Sequence, residues 1–92
     1  MASRILADDT LKYWLALPEP EQAKALQRFW TANEAIYKAC PAPQPAYFRH
    51  YRLHTPELLS STATIENTDY RFIVHSVELE LGFLSMALRV SL

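Results

Sequence analysis

Residues 77–92 read VELELGFLSMALRVSL, and whether they form strands or a helix decides the fold. From Val77 to Phe83, apolar Val77, Leu79, Leu81 and Phe83 alternate with Ser76, Glu78, Glu80 and Gly82. A two-residue period belongs to a strand with one wet face. At Phe83–Leu84 the phase slips by one, so that Leu84, Met86, Leu88, Val90 and Leu92 alternate with Ser85, Ala87, Arg89 and Ser91. A bulge or tight bend at Gly82 brings both apolar sets to the same side, and glycine suits such a bend. The competing reading is a buried C-terminal helix, because Glu, Leu, Met and Ala favour helices. The alternation decides for strands, with Glu78 and Glu80 on a solvated face.

Upstream, "NTD" at 67–69 has turn chemistry, and the Ser/Thr-rich "ELLSSTATIEN" before it ends in β-branched character. The prolines of "PAPQP" at 41–45 remove backbone donors and bias their predecessors towards extended geometry, which stops any helix entering them. Before them the period is helical. In "DDTLKYWLAL", Asp8 and Asp9 suit the positive end of a helix as caps, and Leu11, Trp14 and Leu15 share a face. "PEPEQ" at 18–22 restarts a second helix running to about Ala39. Its apolar stripe is Leu26, Phe29, Trp30, Ile36, Tyr37 and Cys40, with Lys24, Arg28, Thr31 and Lys38 opposite; Glu34 and Lys38 have the favourable i,i+4 order. The expected fold class is α+β, with two N-terminal helices packed on a small, mainly antiparallel C-terminal sheet of three or four strands. Residues 1–92 are read as one domain: a helical part at about 8–40, the connection at 41–45 and a strand-rich part at about 46–92, neither half being large enough to bury a core alone.

Composition narrows the chemistry. Nine basic and ten acidic residues give a formal charge of −1, with no charge block to act as a nucleic-acid arm. A single glycine leaves no glycine-rich phosphate loop. The lone Cys40 closes no disulfide within the chain, and "MASRILADDT" lacks the apolar core of a secretory signal. The apolar run 81–88 is far shorter than the roughly 20 residues of a membrane span. A cytoplasmic protein with no membrane segment is expected.

No catalytic constellation emerges. His50 and His54 stand four apart, but only His75, Cys40 and scattered carboxylates are available to complete a metal set, without a recognisable spacing. No nucleophile-elbow pattern surrounds a serine, and Cys40 lies on an apolar stripe where a thiol is packing. No cofactor is expected. What remains is "AYFRHYRLH" at 46–54, with three aromatics, two arginines and two histidines in nine positions. As a strand it sorts Tyr47, Arg49, Tyr51 and Leu53 from Phe48, His50, Arg52 and His54. Tyr and Arg are enriched at protein interfaces, so Tyr47, Phe48, Arg49, Tyr51 and Arg52 are the partner-binding candidates. On sequence alone the chain reads as a non-catalytic protein-binding module, an adaptor, assembly factor or inhibitor that occupies a surface and is not an enzyme. Its partner is another protein, with self-association into a homodimer or larger homo-oligomer through a strand edge or apolar face. The alternative is a single-stranded nucleic-acid binder using 46–54, since bases stack on aromatic and guanidinium planes. Beyond that stretch, however, the C-terminal part adds only Arg71 and Arg89 against five acidic residues.

Overall fold

A computed structural model describes residues 5–40 and 48–90. The proline-rich connection at 41–45, Tyr47 and Leu92 lie outside the described residues. Helix α1 spans Asp8–Ala16 and helix α2 Glu19–Ala39. A 3₁₀ turn at Phe48–His50 leads into strands β1 (Tyr51–Leu53), β2 (Ser60–Ile65), β3 (Arg71–Leu79) and β4 (Gly82–Val90). The strands form one antiparallel sheet in the order β1-β2-β3-β4, so β1 and β4 are its edges. This is the expected α+β arrangement, and the last described residues are strand rather than helix. Among the described residues no helix is long and apolar enough to cross a membrane.

Local chemistry accounts for the helix boundaries. Asp8 and Asp9 occupy the first turn of α1, but the N-cap is Ala7 and makes no side-chain cap bond; the two carboxylates therefore act through the helix dipole, not as caps. Between the helices, Trp14 Nε1 donates to the Gln22 carbonyl at 2.7 Å while Gln22 Nε2 donates to the carbonyls of Trp14 and Leu17. That clasp fixes the corner at Pro18.

Phe29, Ala32 and Ile36 of α2, with Cys40 at its C-cap, meet Tyr51, Leu53, Ala63, Ile65, Phe72 and Val74 of the sheet in one core, closed by Leu6. Burial of each larger side chain contributes about 1.5–3 kcal/mol. Two stripe residues expected in the core, Trp30 and Tyr37, are nearly half exposed on its flank, where Phe48 covers them edge-on at ring separations of 5.2 and 6.3 Å. Leu15 of α1 is also exposed. Asn33, by contrast, is buried and donates to the Ile5 carbonyl at 2.8 Å.

Arg28, expected on the outer side of the helix, is only 9% exposed. Its guanidinium lies over the Phe29 ring and donates to the carbonyls of Pro56 and Leu58, the latter at 3.0 Å. A long side chain thus buries its stem while its head satisfies the β1–β2 loop.

The C-terminal strands depart most from expectation. The bend is a full hairpin reversal through Glu80–Leu81, with Leu79 opposite Gly82. Gly82 has φ +156°, so the backbone favours glycine there; a Cβ would also displace only the flexible end of the Gln27 side chain. Most of both apolar sets reaches one side, but it is the side facing away from the helices: Ile73, Val77, Leu79, Leu84, Met86 and Leu88 are 36–69% exposed, while Phe83, opposite Glu78, turns towards Tyr13, Lys24 and Arg28. The inner side carries Val74 opposite Ala87 and Ser76 opposite Ser85. Thr31 Oγ1 of α2 meets Ser85 Oγ at 2.8 Å, and Ser85 meets Ser76 Oγ at 2.8 Å. At Ser85 and Ala87, helix α2 sits so close over β4 that only hydroxyls and methyls fit beneath it. Glu78 follows the same inversion: it is not a free solvated partner of Glu80 but reaches Lys24 of α2 in an ion pair.

Two substitutions probe this packing. The Tyr51 ring is 2% exposed and its buried hydroxyl has no hydrogen-bond partner. Burial raises its pKa, and the nearby Cys40 and Tyr37 add to the rise. A raised folded-state pKa gives stability that is intact below the unfolded value, about 10, and is lost as pH climbs from there through the folded value. Tyr51→Phe is expected to be about 1 kcal/mol more stable at pH 7, with a shallower alkaline loss, as read by urea unfolding from pH 7 to 11. Arg28→Met is expected to cost about 2 kcal/mol and to accelerate amide exchange over residues 55–61, measured by hydrogen exchange.

Candidate anion-binding cleft

The 46–54 stretch does not form one continuous strand. The 3₁₀ turn at Phe48–His50 rotates the chain before β1 begins, and the two-faced sorting breaks down there. Tyr51 and Leu53 turn into the core, while Arg52 and His54 remain exposed. Phe48 is half-buried, 5.4 Å from the Tyr51 ring. The turn brings Arg49 and His50 to the same concavity as Arg52 and His54.

That concavity encloses about 510 Å³ and is lined by the four basic side chains together with Leu6, Ala7, Asp8, Thr64 and Glu66. Three pieces of chain build it. Strand β1 supplies Arg52, and its pairing with β2 sets Thr64 opposite Arg52. The Glu66 amide donates to the His50 carbonyl at 2.8 Å, extending that ladder beyond the strand. The entry to α1 supplies Ala7 and Asp8, at the positive end of its dipole. His54 Nε2 lies 3.1 Å from Thr64 Oγ1.

The electrostatics are those of directional donors, not of a basic field. Arg49 and Arg52 share the lining with Asp8 and Glu66, and Arg52 Nη1 approaches Asp9 at 3.7 Å with both side chains at least half exposed. An exposed pair at that distance contributes little and exchanges readily for a better acceptor. Guanidinium groups present planar, paired donors that match phosphate and carboxylate oxygens. The cleft is thus suited to a phosphate-bearing molecule whose remaining atoms meet polar and apolar walls.

Other chemistries find less support. Among the described residues no three His, Cys, Asp or Glu side chains converge as a metal-ligand set. Burial pushes the Cys40 thiol up, an effect Arg89 partly opposes, and a raised pKa is the reverse of what a nucleophilic cysteine requires. On α2, Glu34 is half-buried one turn before exposed Lys38.

Of the sequence-derived candidates, Arg49 and Arg52 line the cleft, Phe48 and Tyr51 belong to the aromatic cluster behind it, and Tyr47 lies outside the described residues. Asp8, Thr64 and Glu66 escaped sequence reasoning as site residues. Thr64 and Glu66 reach the cleft through the β1–β2 register, and Asp8 through the entry to α1.

Compared with protein families, residues 1–88 match the family described as ACPS: 4'-phosphopantetheinyl transferase superfamily. No curated protein and no solved structure matches the chain. The family match corrects the function drawn from sequence alone. A family of transferases is catalytic, so the readings as a non-enzymatic adaptor, assembly factor or inhibitor, and as a nucleic-acid binder, give way to an enzyme family. With the match extending over nearly the whole length, the chain belongs to the 4'-phosphopantetheinyl transferase superfamily.

Proposed function

We propose that the chain acts in transfer of a 4'-phosphopantetheinyl group to a hydroxyl of a carrier protein, and that the 49–54 cleft grips the phosphate of the donor. The family match over residues 1–88 carries this reading, and the paired guanidinium groups of the cleft support it. Members of the family act with carrier proteins and oligomerise; self-association and a cytoplasmic setting, in keeping with the single thiol, belong to the same reading.

Transfer of such a group is substitution at phosphorus. The acceptor oxygen forms a new P–O bond, the bond from phosphorus to the leaving phosphate oxygen breaks, and the acceptor hydroxyl loses its proton. Charge builds on the phosphate oxygens and on the leaving group, so catalysis rests on positioning and on cationic donors placed where that charge develops. Arg49 and Arg52 fill the second role in this scheme. His50 and His54, in the same lining, are imidazoles, the side-chain type most often used as a general base. Asp8 and Glu66 in the same lining offset the two arginines, which favours a phosphate held by hydrogen bonds over indiscriminate capture of polyanions.

Coenzyme A is a suitable probe donor, since it carries phosphopantetheine on a phosphoanhydride. Each charge-assisted bond to phosphate contributes about 1.5–3 kcal/mol, and about 1.4 kcal/mol is tenfold in affinity. The Arg49→Ala, Arg52→Ala double variant is therefore expected to bind coenzyme A at least tenfold more weakly by calorimetry, with unchanged circular dichroism. Lys24→Ala, remote from the cleft, serves as the cation control. Equal affinity of the double variant and the wild-type chain would remove the cleft from the scheme. Failure of the purified chain to add a phosphopantetheinyl mass to any carrier protein tested would remove the activity.

A further inference from the structure

We infer that Ser60 and His75, paired across β2 and β3 on the outer face of the sheet, form a nucleophile and base that take an aliphatic acyl group from a thioester. The pair lies outside the lining of the anion cleft, and its chemistry is independent of phosphopantetheinyl transfer. Ser60 Oγ stands 2.5 Å from His75 Nδ1, the hydrogen-bonded contact that marks a nucleophile and its base. Both side chains are exposed, so an acyl carbon can reach Oγ. The two residues are direct partners in the β2–β3 register, and the backbone therefore sets their approach. That end of the ladder is braced: the Ser76 amide donates to the Leu59 carbonyl at 2.8 Å, and Thr55 Oγ1 donates to the Ser60 carbonyl at 3.3 Å. Donation from the hydroxyl to Nδ1 requires the imidazole proton to sit on Nε2. Nδ1 is then the atom that takes the proton as Oγ attacks.

The surroundings select the substrate. Ile73 and Val77 flank His75 on the same face, Met86 stands opposite it on β4, and all three are exposed. An acyl chain laid beside the pair meets methyl, methylene and thioether groups and no carboxylate. The leaving group follows from what the pair lacks. Among the described residues no carboxylate pairs with His75, and an imidazole without such an orienting partner is a much weaker catalyst. The bond that breaks must therefore be an activated one. A thiol, with a pKa of about 8.5, is a far better leaving group than an ordinary alcohol. In the step, Ser60 Oγ bonds to the acyl carbon, the carbon–sulfur bond breaks, and the hydroxyl proton passes through His75 to the departing thiolate. The serine ester that results is hydrolysed slowly for the same reason, so it accumulates as a covalent adduct.

The test uses the S-phenyl thioesters of acetic and butyric acid, with thiol release followed in solution and the adduct located by peptide mass spectrometry. The wild-type chain is expected to acquire one acyl group as an ester on Ser60. Ser60→Ala is expected to show no acyl group on that peptide. His75→Gln, with unchanged circular dichroism, is expected to acylate Ser60 about a hundredfold more slowly, as for loss of a general base. After normalisation to hydrolysis in buffer, butyrate is expected to transfer at least about threefold faster than acetate, because its extra methylenes lie on the apolar face. Absence of an ester on Ser60, acylation of His75→Gln at the wild-type rate, or equal normalised rates for the two thioesters would each overturn the inference.

Discussion

The structure depends on how closely helix α2 approaches β4. Thr31 touches Ser85, Ser85 touches Ser76, and Ala87 lies beside Val74. At that separation a leucine or methionine beneath the helix would overpack. The hydroxyls can be buried there because each finds a partner in the same chain of contacts. This constraint sends every large apolar side chain of β4 from Leu84 to Leu88 to the opposite side. It also leaves the centre of the core to Phe29, Ile36, Phe72, Ile65 and Tyr51, where α2 meets the middle of the sheet. The β1–β2 loop is then secured from below by Arg28, and the loop and its register hold the wall on which Arg52 and His54 stand. Site and core are thus linked through one helix.

Much of this architecture was legible in the sequence. The two helices, the break at the prolines, the turn at Asn67, which indeed adopts φ +64°, and the strand character of the final segment all follow from periodicity and from proline, glycine and asparagine chemistry. What alternation cannot reveal is which face of a strand looks inward when both faces are plausible. The rule that the apolar set faces the core holds when the covering element leaves room for it. On β3 it fails in the C-terminal half, where Ser76 is buried and Val77 and Leu79 are exposed, and on β4 it fails from Leu84 to Leu88, although Phe83 does face the helices. The same reasoning misplaced Arg28, because its polar head counted for more in the helical pattern than its apolar stem, and it placed Trp30 and Tyr37 too deep because their flanking partner, Phe48, lies beyond the prolines.

The site was legible only in part. The density of arginine and histidine in 46–54 drew attention to residues that line the candidate cleft, but reading the stretch as one strand divided Arg49 from Arg52. A single turn of 3₁₀ helix, which carries no strong signal in those residue types, reunites them. The acidic part of the lining is unreadable without tertiary structure: Glu66 comes in through the register of β1 on β2 and Asp8 through the docking of α1. Nor did any short motif announce a transferase. Phosphate chemistry usually advertises itself through glycine-rich loops, and a chain with one glycine must hold phosphate, if it does so through this cleft, by side chains instead of backbone amides. The family resemblance is accordingly spread along the chain, and residue-by-residue chemistry overlooked it.

The central claim, that α2 rests on the small polar face of the C-terminal hairpin and turns its aliphatic face away, can be tested most directly by nuclear Overhauser contacts in the isotope-labelled protein. The account predicts contacts from the side chains of α2 to Ser85 and Ala87, and none from α2 to the methyl groups of Leu84, Met86 or Leu88 within the same chain. Intrachain contacts from those methyl groups to α2, with Ser85 and Ala87 facing away from it, would contradict it.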